Sequence, residues 1–154
     1  MEYAPFPLIE LTGGPRERGR QHGQAVADRI KRGIAMYSES LGKNGVDWKE
    51  LERRAQAMVP VVEKFDPAYV EEMRGLAEGS GQPFAGVMLM NARTEMVAAA
   101  RQQHARQHFP DACTAALALP EASADGCLLH GQNWDWRAEC AETGVEAVMG
   151  HAVV

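Results

Sequence analysis

Phe109-Pro-Asp-Ala-Cys113-Thr-Ala-Ala-Leu-Ala-Leu119-Pro-Glu-Ala-Ser-Ala-Asp125-Gly-Cys-Leu-Leu-His-Gly131-Gln-Asn-Trp-Asp135 is the stretch on which the reading of this chain turns. Two short apolar runs, Cys113–Leu119 and Cys127–Gly131, flank a turn-rich segment that ends in Asp125-Gly126. An Asp-Gly pair between apolar runs is a hairpin signal, because the glycine supplies the positive φ that a tight reversal needs. Cys113 heads the first of these strands. Taken alone, a cysteine there is more often inert packing than a nucleophile.

Charge changes at the same place. Residues 1–112 carry 15 basic and 15 acidic side chains, whereas residues 113–154 carry one basic residue, Arg137, and six acidic ones. The whole net charge of −5 therefore lies after residue 112. Nucleic acid calls for a basic face, so it is a poor partner for this chain. Cys113, Cys127 and Cys140 all lie in the acidic stretch. Their odd number argues against a disulfide framework, and their spacing is unlike the short Cys-x₂₋₄-Cys of a zinc site. A chain of 154 residues, 45% hydrophobic and 24% charged, has the make-up of one soluble globular domain. No apolar run approaches the ~20 residues that span a bilayer, and the N-terminus shows no export signal. The expectations are a cytoplasmic address and no membrane partner.

Upstream of the hairpin the pattern is helical. Phe6–Leu11 reads as an edge strand, since Pro5 and Pro7 cannot donate to a ladder. Gly13-Gly14-Pro15 opens a helix whose stripe Val26, Ile30, Ile34, Tyr37, Leu41 recurs at three and four, ending at Gly42. Asp47 caps a second helix, with Glu50 three residues on and Trp48, Leu51, Ala55, Met58, Val62 and Phe65 as its apolar face. Pro60 should kink or divide it. Asp66-Pro67 starts a third, carrying Val70, Met73 and Leu76 and stopped by Gly79 and Gly81. Pro83 starts a fourth, through the Met-rich run 87–90 to about Gln103, with the methionines as core. His104 and His108 have helix-face metal spacing but no third ligand, so no metal is expected. Gly13-Gly14 lacks the Gly-Lys-Ser/Thr of a phosphate loop.

Five segments, in order, resemble one family. They are Gly19-Arg-Gln-His22-Gly23, Glu72-Met-Arg-Gly75-Leu-Ala77-Glu-Gly79-Ser-Gly81, Leu89-Met-Asn91-Ala-Arg93-Thr94-Glu95, Asp111-Ala-Cys113-Thr114 and Gly131-Gln-Asn-Trp-Asp135. Together they are similar to the acyl-CoA:6-aminopenicillanic-acid acyltransferases (isopenicillin N acyltransferases) of the N-terminal-nucleophile (Ntn) hydrolases. The resemblance implies an α+β, αββα fold, of which this chain would be an N-terminal portion: a helical α segment, 1–112, and the start of a catalytic β chain, 113–154. It implies self-cleavage between Ala112 and Cys113, with Cys113 as nucleophile and its own new α-amine as base. A thiol near pKa ~8.5 is mostly protonated at neutral pH, while an α-amine near ~7.7–8.0 is partly free to accept its proton.

Asp135 would hold that amine, and Asn133 and Trp134 would contact substrate or the oxyanion. Gln132 stands where the related bile-salt and penicillin V hydrolases carry arginine, and Ala112 stands where glycine is frequent. The implied reaction cleaves or transfers an acyl group at an amide or thioester through a Cys113 acyl-enzyme. It needs no cofactor beyond acyl-CoA as a co-substrate, and takes a small-molecule acyl donor and an amine or water as acceptor. The processed product would be an α/β heterodimer, with a homo-oligomer left open. The alternative is a catalytically incomplete piece that acts as a helical binding or assembly module.

Overall fold

The computed structural model describes residues 7–96, 113–133 and 146–149. They fall into two units: one holds the described residues of Met1–Arg106 and Glu142–Val154, the other those of Gln107–Ala141.

In the first unit, strand β1 (Leu8–Leu11) leads into helices α1 (Pro15–Ala25), α2 (Ala27–Gly42), α3 (Trp48–Phe65), α4 (Pro67–Ser80) and α5 (Phe84–Asn91). The stripe expected from Val26 to Leu41 is buried at all five positions. It does not lie on one continuous helix. Val26 leaves helical geometry (φ −134°, ψ 34°) and separates α1 from α2. Its carbonyl still accepts from Arg29 and Ile30 at 3.0 and 3.1 Å, so α2 starts at once in a new direction. The break lets α1 and α2 meet different partners: α1 lies against α4, and α2 packs chiefly on α5.

The other helix limits follow from capping chemistry. The Asp47 carboxylate accepts from the Glu50 N–H at 2.8 Å, as an N-cap does. The Glu50 side chain does not reach back; it pairs with Arg53 and Arg54 at 2.7 and 2.8 Å. Asp66 caps α4 through Ala68, and Gly81, at φ 65°, takes the left-handed C-cap position. Pro60 does not divide α3, which is assigned as one helix from Trp48 to Phe65. The buried face of α3 is Leu51, Ala55 and Val59. Trp48 and Phe65, expected inside, are exposed. Phe65 instead stacks on Tyr69 with ring centroids 5.9 Å apart.

Helix α5 is the centre of the core: Val87, Met88 and Leu89 are at most 1% exposed. It ends at Asn91, earlier than the sequence suggests, because Ala92 departs from helical angles before residues 93–96 turn helically again. The rest of the expected helix, to Gln103, lies outside the described residues. A second core cluster joins Val26, Ile30 and Ile34 to Ile9, Leu76 and Met90. β1 pairs in parallel with β4 (Glu146–Met149), Leu8 opposite Glu146 and Leu11 opposite Met149.

The closest packing lies between α1 and α4. A Cβ added to Gly19 would sit 2.0 Å from the Glu72 carbonyl oxygen, and one on Gly75 would sit 2.0 Å from that of Arg16. Gly23 and Gly79 show the same approach, at 2.5 Å from the Leu76 oxygen and 2.1 Å from the Arg20 oxygen. Four glycines, two per helix at a spacing of four, thus let backbone touch backbone where ordinary side chains would hold the axes ~8–10 Å apart. Ion pairs line the seam: Arg18 with Glu72 at 2.9 Å, Arg16 with Glu71 at 3.2 Å, and Arg16 with Glu78.

The second unit is a hairpin: β2 (Thr114–Ala118), a single 3₁₀ turn at Pro120–Ala122, and β3 (Leu129–Asn133). Among the described residues the architecture is α+β, mainly helical, with this antiparallel pair as its separate sheet.

Candidate functional site

The hairpin's turn is built from its own side chains. The Asp125 carboxylate accepts from the Ser123 hydroxyl and, at 3.1 Å, from the Cys127 N–H, and these bonds hold its carboxyl below the ordinary range. Gly126 follows at φ 70°. With the reversal fixed locally, Ala118 falls opposite Leu129, Ala116 opposite Gly131 and Thr114 opposite Asn133. The far end of the ladder therefore brings Gly131-Gln132-Asn133 alongside the head of β2, where Cys113 stands.

Cys113 immediately precedes β2 and its thiol is free and exposed. Asn133 closes β3 and is likewise exposed. Side chains alternate between the faces of a strand. Thr114, Ala116 and Ala118 with Asn133, Gly131 and Leu129 form one face, while Ala115 and Leu117 with Gln132 and His130 form the other. Cys113 lies one residue before the ladder, and the same alternation continued by that residue sets it on the face of Ala115 and Gln132. No lysine or arginine occurs anywhere in 113–133, so the described hairpin offers no cation to the thiol. Ala112, Trp134 and Asp135 lie outside the described residues, as do Cys140, His104 and His108.

The three upstream motifs make packing rather than a reactive cluster. In Gly19-Arg-Gln-His22-Gly23 the glycines face α4, and the Gln21 side chain accepts from the Thr12 N–H at 3.0 Å, tying α1 to the end of β1. His22 is half-buried; desolvation pushes its imidazole below the ordinary value, partly opposed by Glu72. In Leu89–Glu95, Leu89 is core, the Asn91 amide donates to the Val87 carbonyl at 3.0 Å, and Arg93 donates to the Met90 carbonyl at 3.0 Å. The Arg93 guanidinium also lies 5.8 Å from the centre of the Tyr37 ring, within cation–π range. The α1–α4 contact was latent in the paired Gly-x₃-Gly spacings, 19/23 and 75/79, a signal that reads as helix packing only when both halves are considered together.

Among the described residues no three His, Cys, Asp or Glu side chains are grouped so as to hold a metal ion. None of the described helices is long and apolar enough to cross a membrane.

No family model matches the chain. It is 29% identical over 129 residues to the acyl-coenzyme A:6-aminopenicillanic-acid acyltransferase 40 kDa form of Emericella nidulans, an alignment covering 83% of this chain and 33% of that protein. The chain thus spans about a third of the length of the curated relative it matches. This distant similarity to an acyltransferase extends over most of the sequence.

Proposed function

We propose that this chain supplies the processing site and nucleophile of a cysteine Ntn hydrolase or acyltransferase. The observation that carries the reading is the free, exposed thiol of Cys113 at the head of a strand whose partner ends in Gly131-Gln-Asn133. The likeness to an acyltransferase supports it.

In the processing step the Cys113 sulfur attacks the Ala112 carbonyl carbon. The Ala112–Cys113 C–N bond breaks, a thioester forms, and the thiol proton passes to the departing nitrogen. Water then cleaves the thioester, leaving a carboxyl on Ala112 and a free thiol beside the new α-amine of Cys113. Residues 1–112 and the chain beginning at Cys113 become separate polypeptides, and the hairpin of the latter forms part of the sheet core of an αββα fold. In turnover the amine takes the thiol proton as the sulfur attacks the acyl donor, so a base is present without a histidine. The leaving amine or thiol departs protonated, and water or an amine then removes the acyl group. Asp135 holds the α-amine, and Trp134 contacts the acyl donor. The substrates are small acyl amides or acyl thioesters, coenzyme A thioesters among them.

The test is acyl trapping. The purified chain is incubated with an acyl-coenzyme A, quenched in acid and mapped by peptide mass. The expected result is one acyl group on the peptide that begins at Cys113, absent from Cys113→Ala. Acyl groups spread equally over Cys127 and Cys140, or none on any cysteine, would overturn the reading.

A further inference from the structure

We propose that Gln132 is a further catalytic residue of this site, donating a hydrogen bond from its carboxamide Nε2 to the acyl oxygen of the thioester on Cys113; this rests on the proposed nucleophilic role of Cys113.

The placement follows from the ladder. Gln132 is opposite Ala115, and strand alternation continued one residue before β2 sets Cys113 on the face of Ala115. Diagonal neighbours on one face of an antiparallel pair lie ~7–8 Å apart at the backbone, within reach of a long side chain. The residue beneath that path is alanine, whose single methyl group leaves room for the glutamine side chain to lie across β2 toward the sulfur. Asn133, one residue on, belongs with Thr114 on the opposite face. His130 shares the Cys113 face but stands opposite Leu117, a further register pair away. Gln132 is thus the described polar side chain placed to meet an acyl group on Cys113. With no lysine or arginine in 113–133, a neutral amide donor is what the hairpin itself offers to an oxygen that gains negative charge as the sulfur adds. A neutral donor also leaves an uncharged acyl group unpenalised, which matches acyl chains without a carboxylate close to the reacting carbon.

Two measurements test this on the full chain. In the first, Gln132→Cys and Asn133→Cys are each made with Cys127→Ser and Cys140→Ser, and treated with dibromobimane, which becomes fluorescent when it bridges two neighbouring thiols. Bridging to Cys113 is expected for Gln132→Cys and much less for Asn133→Cys. Equal or reversed bridging overturns the shared face. In the second, the rate of acyl transfer from an acyl-coenzyme A to Cys113 is followed in wild type, Gln132→Ala and Gln132→Glu. Removing a donor of this kind costs about 10²-fold in rate. Gln132→Glu keeps the shape and loses the donor, so it should be at least as slow as Gln132→Ala; a packing role would be preserved by the isostere. A Gln132→Glu chain acylated at the wild-type rate overturns the assignment of Gln132 and leaves Cys113 standing as nucleophile. A wild-type chain that takes no acyl group overturns both.

Discussion

Between α1 and α4 the chain brings backbone against backbone, whereas in the 113–133 hairpin every side chain but those of Ala118 and Ser123 is exposed. Both regions carry segments that resemble those of the acyltransferase family, and their surroundings differ. Gly19, Gly23, Gly75 and Gly79 have no side chain to react with anything; they matter because nothing larger fits. Cys113 and Gln132 are exposed, and in the proposed reaction they act through what they present. A short shared motif therefore does not by itself mark a site. Its meaning depends on whether the fold buries it or leaves it open.

The contrast breaks most visibly if the glycine seam can be filled. Gly75→Ala places a methyl group against the Arg16 carbonyl, a backbone atom that cannot swing aside. Overpacking of this kind typically costs ~1–3 kcal/mol, and the upper end applies here. Thermal melting followed by helical circular dichroism should fall by about 10 °C or more. Gly42→Ala, at an exposed helix end with nothing within 4 Å, is the matched control and should be neutral or stabilising by about 0.4–1 kcal/mol. Equal melting of the two variants would show that the close approach is not a constraint.

Next in size is the α3 cap. Asp47→Ala removes the acceptor for the Glu50 N–H and should cost ~1 kcal/mol in the same melt.

The pH response is smaller and has a definite sign. Hydrogen bonds from Arg53 and Arg54 hold the Glu50 carboxyl down to about 2, and Arg partners lower Glu17 and Glu78 as well. A group whose folded pKa is depressed binds its proton more readily when unfolded, so stability is full above the ordinary carboxylate value and is lost as pH falls toward the folded one. For Glu50 that window runs from about 4.5 down to about 2. His22, lowered by burial, adds a loss that begins as pH falls through the ordinary histidine value. The melting temperature should decline below neutrality and more steeply below pH ~4, with Glu50→Gln flattening the lower limb and His22→Gln the upper.

The smallest effect belongs to the hairpin. Leu117 is 65% exposed, so Leu117→Ser should change the helical melt by less than ~0.5 kcal/mol. A loss as large as that of Gly75→Ala would erase the distinction between the two regions.

Much of this was legible in the sequence because it is local. The Asp47 and Asp66 caps, the glycine stop at Gly81, the apolar stripe from Val26 to Leu41 and the Asp125-Gly126 reversal each depend on residues within one or two turns of each other. What escaped depends on distant partners. Val26 looks helical by periodicity, but the chain bends there so that α1 can reach α4 and α2 can reach α5. Phe65 keeps the helical spacing of α3, yet the buried face settles on Val59 because of what packs against it. The parallel pairing of β1 with residues 146–149 joins segments more than 130 positions apart and leaves no local mark. At the candidate site, Cys113 stands out through its neighbours in sequence, whereas its proposed pairing with Gln132 rests on the strand register.

The proposed division between a packed helical region and an exposed reactive one meets its most direct test in the intact mass of the purified chain. Wild type should appear as two polypeptides, 1–112 and one beginning at Cys113, and Cys113→Ala as a single uncut chain with an unchanged helical melt. A wild-type chain that stays whole, or a Cys113→Ala chain cut at the same bond, would contradict it.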